Sequence, residues 1–308
     1  MKRYHAIIIF SIGAFCFGLN PLFINLGFTA GWSLGEINVV QAIIALVVLW
    51  IIGIFAVKRH PQAVKKLTFK TVVSLMIAGS FTGLTSVLYY GSMQYLPASL
   101  AIMLLFQFIW VGVLFEWIVY KRKPSSKTII TVILTLIGVA FAADVFNGGL
   151  SEINLTGFLL GIGSAFSYSA FIIFSGKVAV GIPATIRTPV MVSGAALLIF
   201  IIFPPHLTLH TEIFTSGSIW VYAGALALCG LILTPLLFAM STPHLSASLA
   251  TILGAIELPV TVVVAYIGLA EYVSPDRWFG VVLILAAVAV GEMRGIWRVI
   301  FRGGRYVN

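Results

Sequence analysis

Ten apolar stretches, each long enough to form a membrane-crossing helix, follow one another along this 308-residue chain, near residues 6–28, 35–57, 71–92, 97–119, 128–146, 155–176, 186–203, 217–239, 246–267 and 276–295. A helix spans the hydrocarbon core of a bilayer with about 20 mainly apolar residues, and no soluble fold tolerates so many such runs. Charge confirms the reading: Asp, Glu, Lys and Arg make up 9% of the chain, against about 25% in a soluble domain. The predicted fold is an all-α polytopic membrane protein of ten transmembrane helices. The seventh stretch is the weakest, because Pro183 and Pro189 crowd its start and Pro204-Pro205 ends it. The first stretch follows Lys2-Arg3 as a signal peptide would, but its apolar run is too long and lacks a small-x-small cleavage site, and Phe15 before Cys16 spoils a lipoprotein site. It is therefore expected to be an uncleaved span. Cys16 and Cys229 lie within apolar runs and are expected to pack rather than to pair.

The basic residues orient these spans. With the amino terminus inside, seventeen of the eighteen Lys and Arg residues fall on the inner side, from Lys2 and Arg3 through the clusters at 58–70 and 121–127, Lys177 and Arg187, to Arg294, Arg298, Arg302 and Arg305. Only Arg277 is left outside. Lys and Arg accumulate in cytoplasmic loops, so both termini are expected to be cytoplasmic, in the bacterial cytoplasmic membrane. The same distribution explains the net charge of +9, and no basic surface suited to nucleic acid emerges.

The chain also repeats. A shift of 149 residues lays Leu96-Pro97-Ala98-Ser99-Leu100-Ala101 on Leu245-Ser246-Ala247-Ser248-Leu249-Ala250, at the start of the fourth and ninth spans. The register continues through Leu104 and Leu253, Val111 and Val260, and Val139-Ala140 and Val288-Ala289. Five spans separate the copies, and five is odd, so the halves are expected to cross the membrane in opposite senses. Inverted repeats of this kind belong to carriers that rock around a midplane site. Breakers within spans, Gly18-Leu19-Asn20-Pro21, Pro235 and Pro259, fit either interrupted helices at such a site or tolerated kinks.

Ten spans, the paired Ala-Ser-Leu-Ala starts and the mid-helix Glu257-Leu258-Pro259 together resemble the EamA branch of the drug/metabolite transporter superfamily. The resemblance covers essentially the whole chain and is strongest from Leu245 to Ala289. It implies two EamA-like five-helix repeats, 1–148 and an inverted 149–308 with a basic cytoplasmic tail, surrounding a central cavity. It further implies a secondary transporter exporting or exchanging small metabolites, such as amino acids or drug-like compounds. Phe17 and Tyr168 stand where the family often has Trp, Ala270-Glu271 replaces Gly-Glu, and Lys121-Arg122 replaces an acidic position.

Among the ionisable residues, Glu36, Glu152, Glu212, Glu271, Asp276 and Glu292 lie at or beyond span ends, and Glu116 and Asp144 about one turn inside them. Glu257 is at the middle of the ninth span with no basic residue at its depth. A carboxylate facing lipid there costs several kcal/mol, so it must face protein or a cavity. Its candidate roles are substrate binding or proton coupling, set against a hydrogen-bonded packing residue. Gln107 sits at nearly the same depth in the fourth span, and Asn20 beside Pro21 either binds ligand or caps freed backbone groups. Tyr89, Tyr90, Trp110, Tyr168 and Ser175 are candidate cavity-lining residues, although such residues also serve helix packing. Gly79-x-x-x-Gly83 and Gly157-x-x-x-Gly161 are expected to be close-packing motifs.

Nucleophile elbow, phosphate loop and His-Glu-x-x-His patterns are all missing, and His206, His210 and His244 fall in loops without metal-ligand spacing. No enzyme activity and no cofactor are expected. The expected partners are a small-molecule substrate, the lipid bilayer and protons as a coupling ion. The competing reading is a lipid-handling or scaffold membrane protein without solute transport.

Overall fold

Side-chain N-caps open several of the long helices. The computed structural model describes residues 3–121, 123–142, 154–245, 247–254, 256–270 and 272–287, the side chains of Ser99, Tyr120, Glu212 and Ser248 among a few excepted. Lys2, Arg122, Asp144, Glu152, Ser246, Glu271, Val288-Ala289, Glu292 and the arginines from Arg294 onward thus lie outside the described residues. All described regular structure is helical. In chain order it runs α1 (Arg3–Gly18), α2 (Asn20–Thr29), α3 (Leu34–Arg59), α4 (Pro61–Val64), α5 (Phe69–Ser92), α6 (Ala98–Leu105), α7 (Phe108–Tyr120), α8 (Ser126–Ala142) and α9 (Leu155–Ser175). There follow α10 (Ala184–Ile202), α11 (Pro205–Thr208), α12 (Thr211–Thr215), α13 (Gly217–Leu226), a π-helical segment (Ala227–Leu233), α14 (Thr234–Ser241), a 3-10 turn (Thr242–His244), α15 (Ala247–Gly254), α16 (Glu257–Gly268) and α17 (275–287).

Ser33 and Glu36 form a reciprocal capping box at the start of α3, which gives Glu36 a structural role at the span end. Thr68 caps α5 through the Thr71 amide, and Asn154 caps α9 through Thr156 and Gly157. Lys58 and Arg59 occupy the last turn of α3, where the helix dipole favours cations. His206 and His244, expected in loops, sit on α11 and the 3-10 turn.

The distribution of exposure is the reverse of a water-soluble protein. Along α3 the exposed face carries Val47, Trp50, Ile51, Ile54 and Phe55, while Asn38 and Gln41 are buried. Along α8 it carries Ile129, Ile130, Ile133, Leu136 and Ile137, while Thr131 and Thr135 are buried. Apolar rows at helical spacing outside and polar groups inside suit a lipid solvent, and the chain is an integral membrane protein. Seven helical stretches among the described residues are long and apolar enough to cross a bilayer: Arg3–Thr29, Leu34–Arg59, Phe69–Ser92, Leu100–Ile118, Leu155–Ser175, Ala184–Ile202 and Gly217–His244. The fifth, ninth and tenth expected spans correspond to α8, to α15 with α16, and to α17, each of which meets a residue outside the described set. The seventh span, the weakest in sequence, is an uninterrupted 19-residue α10 that holds Pro189 inside it.

Apolar burial gives no drive between helices already in lipid, so close approach of backbones has to supply the cohesion. Glycines provide it where α5 packs against α10. A Cβ on Gly79 would overlap the backbone of Met191, and one on Gly194 would overlap the backbone of Met76. Gly83 meets the Ala195 backbone, whereas Gly157 and Gly161 meet Leu96 and Leu104 side chains. Both small-residue motifs are therefore close-packing contacts, as their spacing suggested.

Candidate functional site

Helix interruptions meet at the centre of this bundle. Asn20-Pro21 ends α1 at Gly18 and restarts the chain as α2, because Pro21 has no N–H to continue the ladder. Groups near the break find partners on other helices: the Gly13 carbonyl accepts from Thr234 Oγ1 and the Gly18 carbonyl from Thr261 Oγ1, each at 3.0 Å. The absence of a side chain at Gly18 lets α1 lie against the start of α16, where the Glu257 carbonyl lies 2.8 Å from the place a Cβ would take. In the fourth span helix stops at Leu105 and resumes at Phe108, and the Gln107 amide between them donates to the Leu104 carbonyl three residues back at 3.1 Å. Under the 149-residue shift Gln107 falls on Ile256, whose amide donates to the Leu253 carbonyl at 3.2 Å just before α16 begins at Glu257, so the two interruptions coincide in register.

Glu257 is the first residue of α16 and has 0% of its surface exposed. The Tyr168 hydroxyl, from the middle of α9, donates to its Oε1. Oε2 has no hydrogen-bond partner among the described residues. The first-turn amides of a helix lack intrahelical partners and carry the positive end of its dipole, which favours an anionic group at this position. A buried oxygen left without a partner costs about 1–3 kcal/mol. A carboxyl group held by one oxygen and open at the other can take a proton or bind an ammonium group.

Aromatic rings fix Tyr168. Phe17 of α1 stacks on it at 5.0 Å and 15°, and Phe108 of α7 meets it edge-on at 5.0 Å and 81°. Phe17 also stacks with Tyr89 at 6.1 Å and 19°, and Tyr89 lies beside Tyr90 at 5.9 Å. Phe171 and Phe238 close the cluster at 6.5 and 6.4 Å from Tyr168. Phe108, the repeat counterpart of Glu257, thus touches the same tyrosine as Glu257 does. Aromatic faces around a carboxyl group add cation–π attraction for a cationic ligand to the pull of the carboxylate itself.

Residues 5–143 and again 155–291 match the family described as the EamA-like transporter family. The chain belongs to the EamA-like transporter family. A curated relative from Synechocystis sp. (strain ATCC 27184 / PCC 6803 / Kazusa), named an uncharacterized transporter, is 27% identical over 208 residues. That match covers 66% of this chain and 61% of the relative's length. A solved crystal structure superposes with a TM-score of 0.68 at 16% identity, over 95% of this chain and 98% of its own. This likeness shows the fold alone.

In this EamA-like chain the sequence candidates separate into groups. Glu257, Tyr168 and Tyr89 join one aromatic column, in which Phe17 and Tyr168, the two residues standing in place of Trp, stack on each other. Gln107 forms no hydrogen bond with Glu257: its Oε1 accepts from Trp110 Nε1 at 2.8 Å and its Nε2 donates to the Met103 carbonyl at 3.4 Å. The hydrogen bonds of Gln107 therefore stay within its own span, while Trp110 packs edge-on against Phe166 of α9. Asn20 is fully buried, and neither of its amide atoms has a hydrogen-bond partner among the described residues. Asn20 Nδ2 and the Tyr90 hydroxyl lie 3.0 and 3.2 Å from the place a Cβ on Gly230 would take, so this glycine of the π-helical segment admits both groups. Ser175 is buried at the end of α9, where its carbonyl accepts from Arg187.

Two buried features escaped sequence reasoning. Asn38, Gln41 and Ser86 form a triad: Ser86 Oγ donates to Asn38 Oδ1 at 2.6 Å, and Gln41 Nε2 donates to Ser86 Oγ at 2.8 Å. Polar residues recurring on the inner face of α3 were the available signal. Arg187, counted with the inner loop charges, instead lies inside α10 with 1% of its surface exposed.

Proposed function

We propose that this protein is a secondary transporter that exports or exchanges a small metabolite by alternating access. The carrying observation is the occluded Glu257–Tyr168 pair at the meeting point of interrupted helices. Transporters place binding and coupling groups at such discontinuous helices near the midplane. In this reading Glu257 binds a proton or a cationic substrate group, and Tyr168 orients it. Tyr89 and Asn20 flank the path on one side, Gln107 and Trp110 line it on the fourth span, and Ser175 lies toward the inner end. Ten spans in two inverted five-helix repeats, 1–148 and 149–308, provide the moving halves, and the coincident breaks support that pairing. With no nucleotide-binding motif in the sequence, the energy comes from a proton gradient or from exchange.

The charge split supports cytoplasmic termini in a bacterial cytoplasmic membrane. Reporter fusions at Lys65, Lys123 and Asn308 are expected to read cytoplasmic, and one at Glu152 or His210 external. An external signal at Asn308 would overturn the even span count and the inverted repeat with it.

A lipid-handling reading has one specific observation behind it, an apolar cavity of roughly 300 Å³ between α5, α7 and α9 lined by Phe81, Leu84, Phe115, Phe166 and Phe174. Extracellular metabolites of cells overproducing the protein, compared with those of cells lacking it, identify a substrate and its direction together. Proteoliposomes then test the two readings directly. Uptake of that labelled metabolite without lipid scrambling is the expected result; scrambling without uptake would replace the carrier reading.

A further inference from the structure

Among the described residues the charged side chain buried in a span besides Glu257 is Arg187, and nothing in the carrier reading uses it. It lies in the first turn of α10, where NH1 donates to the carbonyls of Ser175 (3.0 Å) and Val178 (2.8 Å) and NH2 donates to that of Ala239 in α14. These acceptors lie at or just beyond the C-terminal end of α9 and near that of α14, where helices leave carbonyls unpaired. They solvate the guanidinium but carry no net charge to balance it. Among the described residues no carboxylate pairs with Arg187, and its Nε has no hydrogen-bond partner. Positive-inside topology accounts for exposed Lys and Arg in loops; it does not require a buried arginine in a helix. A cation at this depth ordinarily marks a site or has a partner of opposite charge.

A groove of roughly 550 Å³ opens beside it, lined by Arg187 together with Gly181, Ile182, Ala184, Met240 and His244. Among the described residues no acidic side chain lines it. Lys66 Nζ lies 4.0 Å from the place a Cβ on Gly181 would take, so a second cation stands at the rim. Ser175, whose carbonyl accepts from the guanidinium, and Thr188, the next residue along α10, each keep a buried hydroxyl without a hydrogen-bond partner among the described residues.

We propose that this groove is an oxyanion site centred on Arg187, taking a carboxylate or phosphate group supplied by a soluble anion or by a lipid headgroup. The anion neutralises the guanidinium, and Lys66 at the rim draws it in. Occupancy then links the ends of α9, α10 and α14 in a way the three carbonyl bonds alone do not.

The test measures thermal unfolding of the purified full-length protein under two comparisons. Inorganic phosphate is titrated against chloride at equal ionic strength in detergent, and nanodiscs of phosphatidylglycerol are set against nanodiscs of phosphatidylcholine. Arg187→Gln removes the charge but also strips three carbonyls of their donors, so it is expected to fold poorly. Ala184→Trp therefore serves as the decisive variant, since it fills the groove and leaves the carbonyl bonds of Arg187 in place. Dose-dependent stabilisation of the wild type by phosphate, weakened about 30-fold or more in Ala184→Trp, establishes a soluble-anion site. Stabilisation by phosphatidylglycerol alone, lost in the same variant, establishes a headgroup site. Equal responses of wild type and Ala184→Trp to both probes overturn the proposal and leave Arg187 as a tie between helix ends.

Discussion

Glu257→Gln is expected to abolish pH-driven accumulation of substrate in proteoliposomes while leaving the protein folded and able to exchange substrate across equal pH. Gln keeps the size of Glu and can still accept from the Tyr168 hydroxyl, so the substitution removes titration and charge with little change in packing. The alternatives give different readouts. If Glu257 binds a substrate ammonium directly, exchange is lost too, because a hydrogen bond to a charged group contributes about 1.5–3 kcal/mol, or about 10–100-fold in affinity. If it is only a packing residue, both activities survive, and unchanged accumulation at normal expression would remove the functional assignment. Tyr168→Phe supplies the companion measurement. Loss of its hydroxyl leaves both carboxyl oxygens of Glu257 without the side-chain donor seen here, while the ring can keep its stacking with Phe17 and Phe108. It is expected to impair the same step as Glu257→Gln.

What could be read from sequence follows the range of the forces involved. The seven spans that appear as long apolar helices were legible because lipid imposes a length and an apolar content on each segment separately. The interruptions at Leu19 and ahead of Glu257 were signalled by Pro21 and Pro259, which disrupt the ladder wherever they occur. The interruption at Phe106–Gln107 has no glycine or proline at it, and only the 149-residue shift carries it over from the ninth span. Glu257 stood out because a midplane carboxylate is costly in any fold. Its partner did not, because Tyr168 lies 89 residues away and their meeting depends on the rotation of α9 about its own axis. Gln107 shows the same limit: depth put it level with Glu257, while rotation about its own helix pairs its side chain with Trp110. Arg187 was counted with the inner charges because it is the second residue of the expected seventh span, where an arginine is ordinarily solvated; its burial comes from carbonyls of α9 and α14 that are remote in sequence.

The same dependence on rotation gives the largest expected loss of stability. Gly79→Ala adds one methyl group at a point where the neighbouring atoms are the backbone of Met191, and Gly194→Ala adds one against the backbone of Met76. Side chains can rotate away from an intruding atom, but a helix backbone can yield only by moving the whole helix. Overpacking of this kind costs about 1–3 kcal/mol or more per site, and in lipid no hydrophobic drive restores the separated helices. Intrinsic propensity acts in the opposite direction, since Ala is favoured over Gly in a helix interior by about 1 kcal/mol. Gly224→Ala isolates that term, because nothing lies within 4 Å of the place its Cβ would occupy. Thermal unfolding in one detergent is therefore expected to show Gly224→Ala at or above the wild type and both Gly79→Ala and Gly194→Ala far below it. Gly157→Ala should fall between them, since its neighbours are the side chains of Leu96 and Tyr95, which can shift. Equal stability of Gly79→Ala and Gly224→Ala would mean that α5 and α10 do not approach as closely in the membrane as the structure places them.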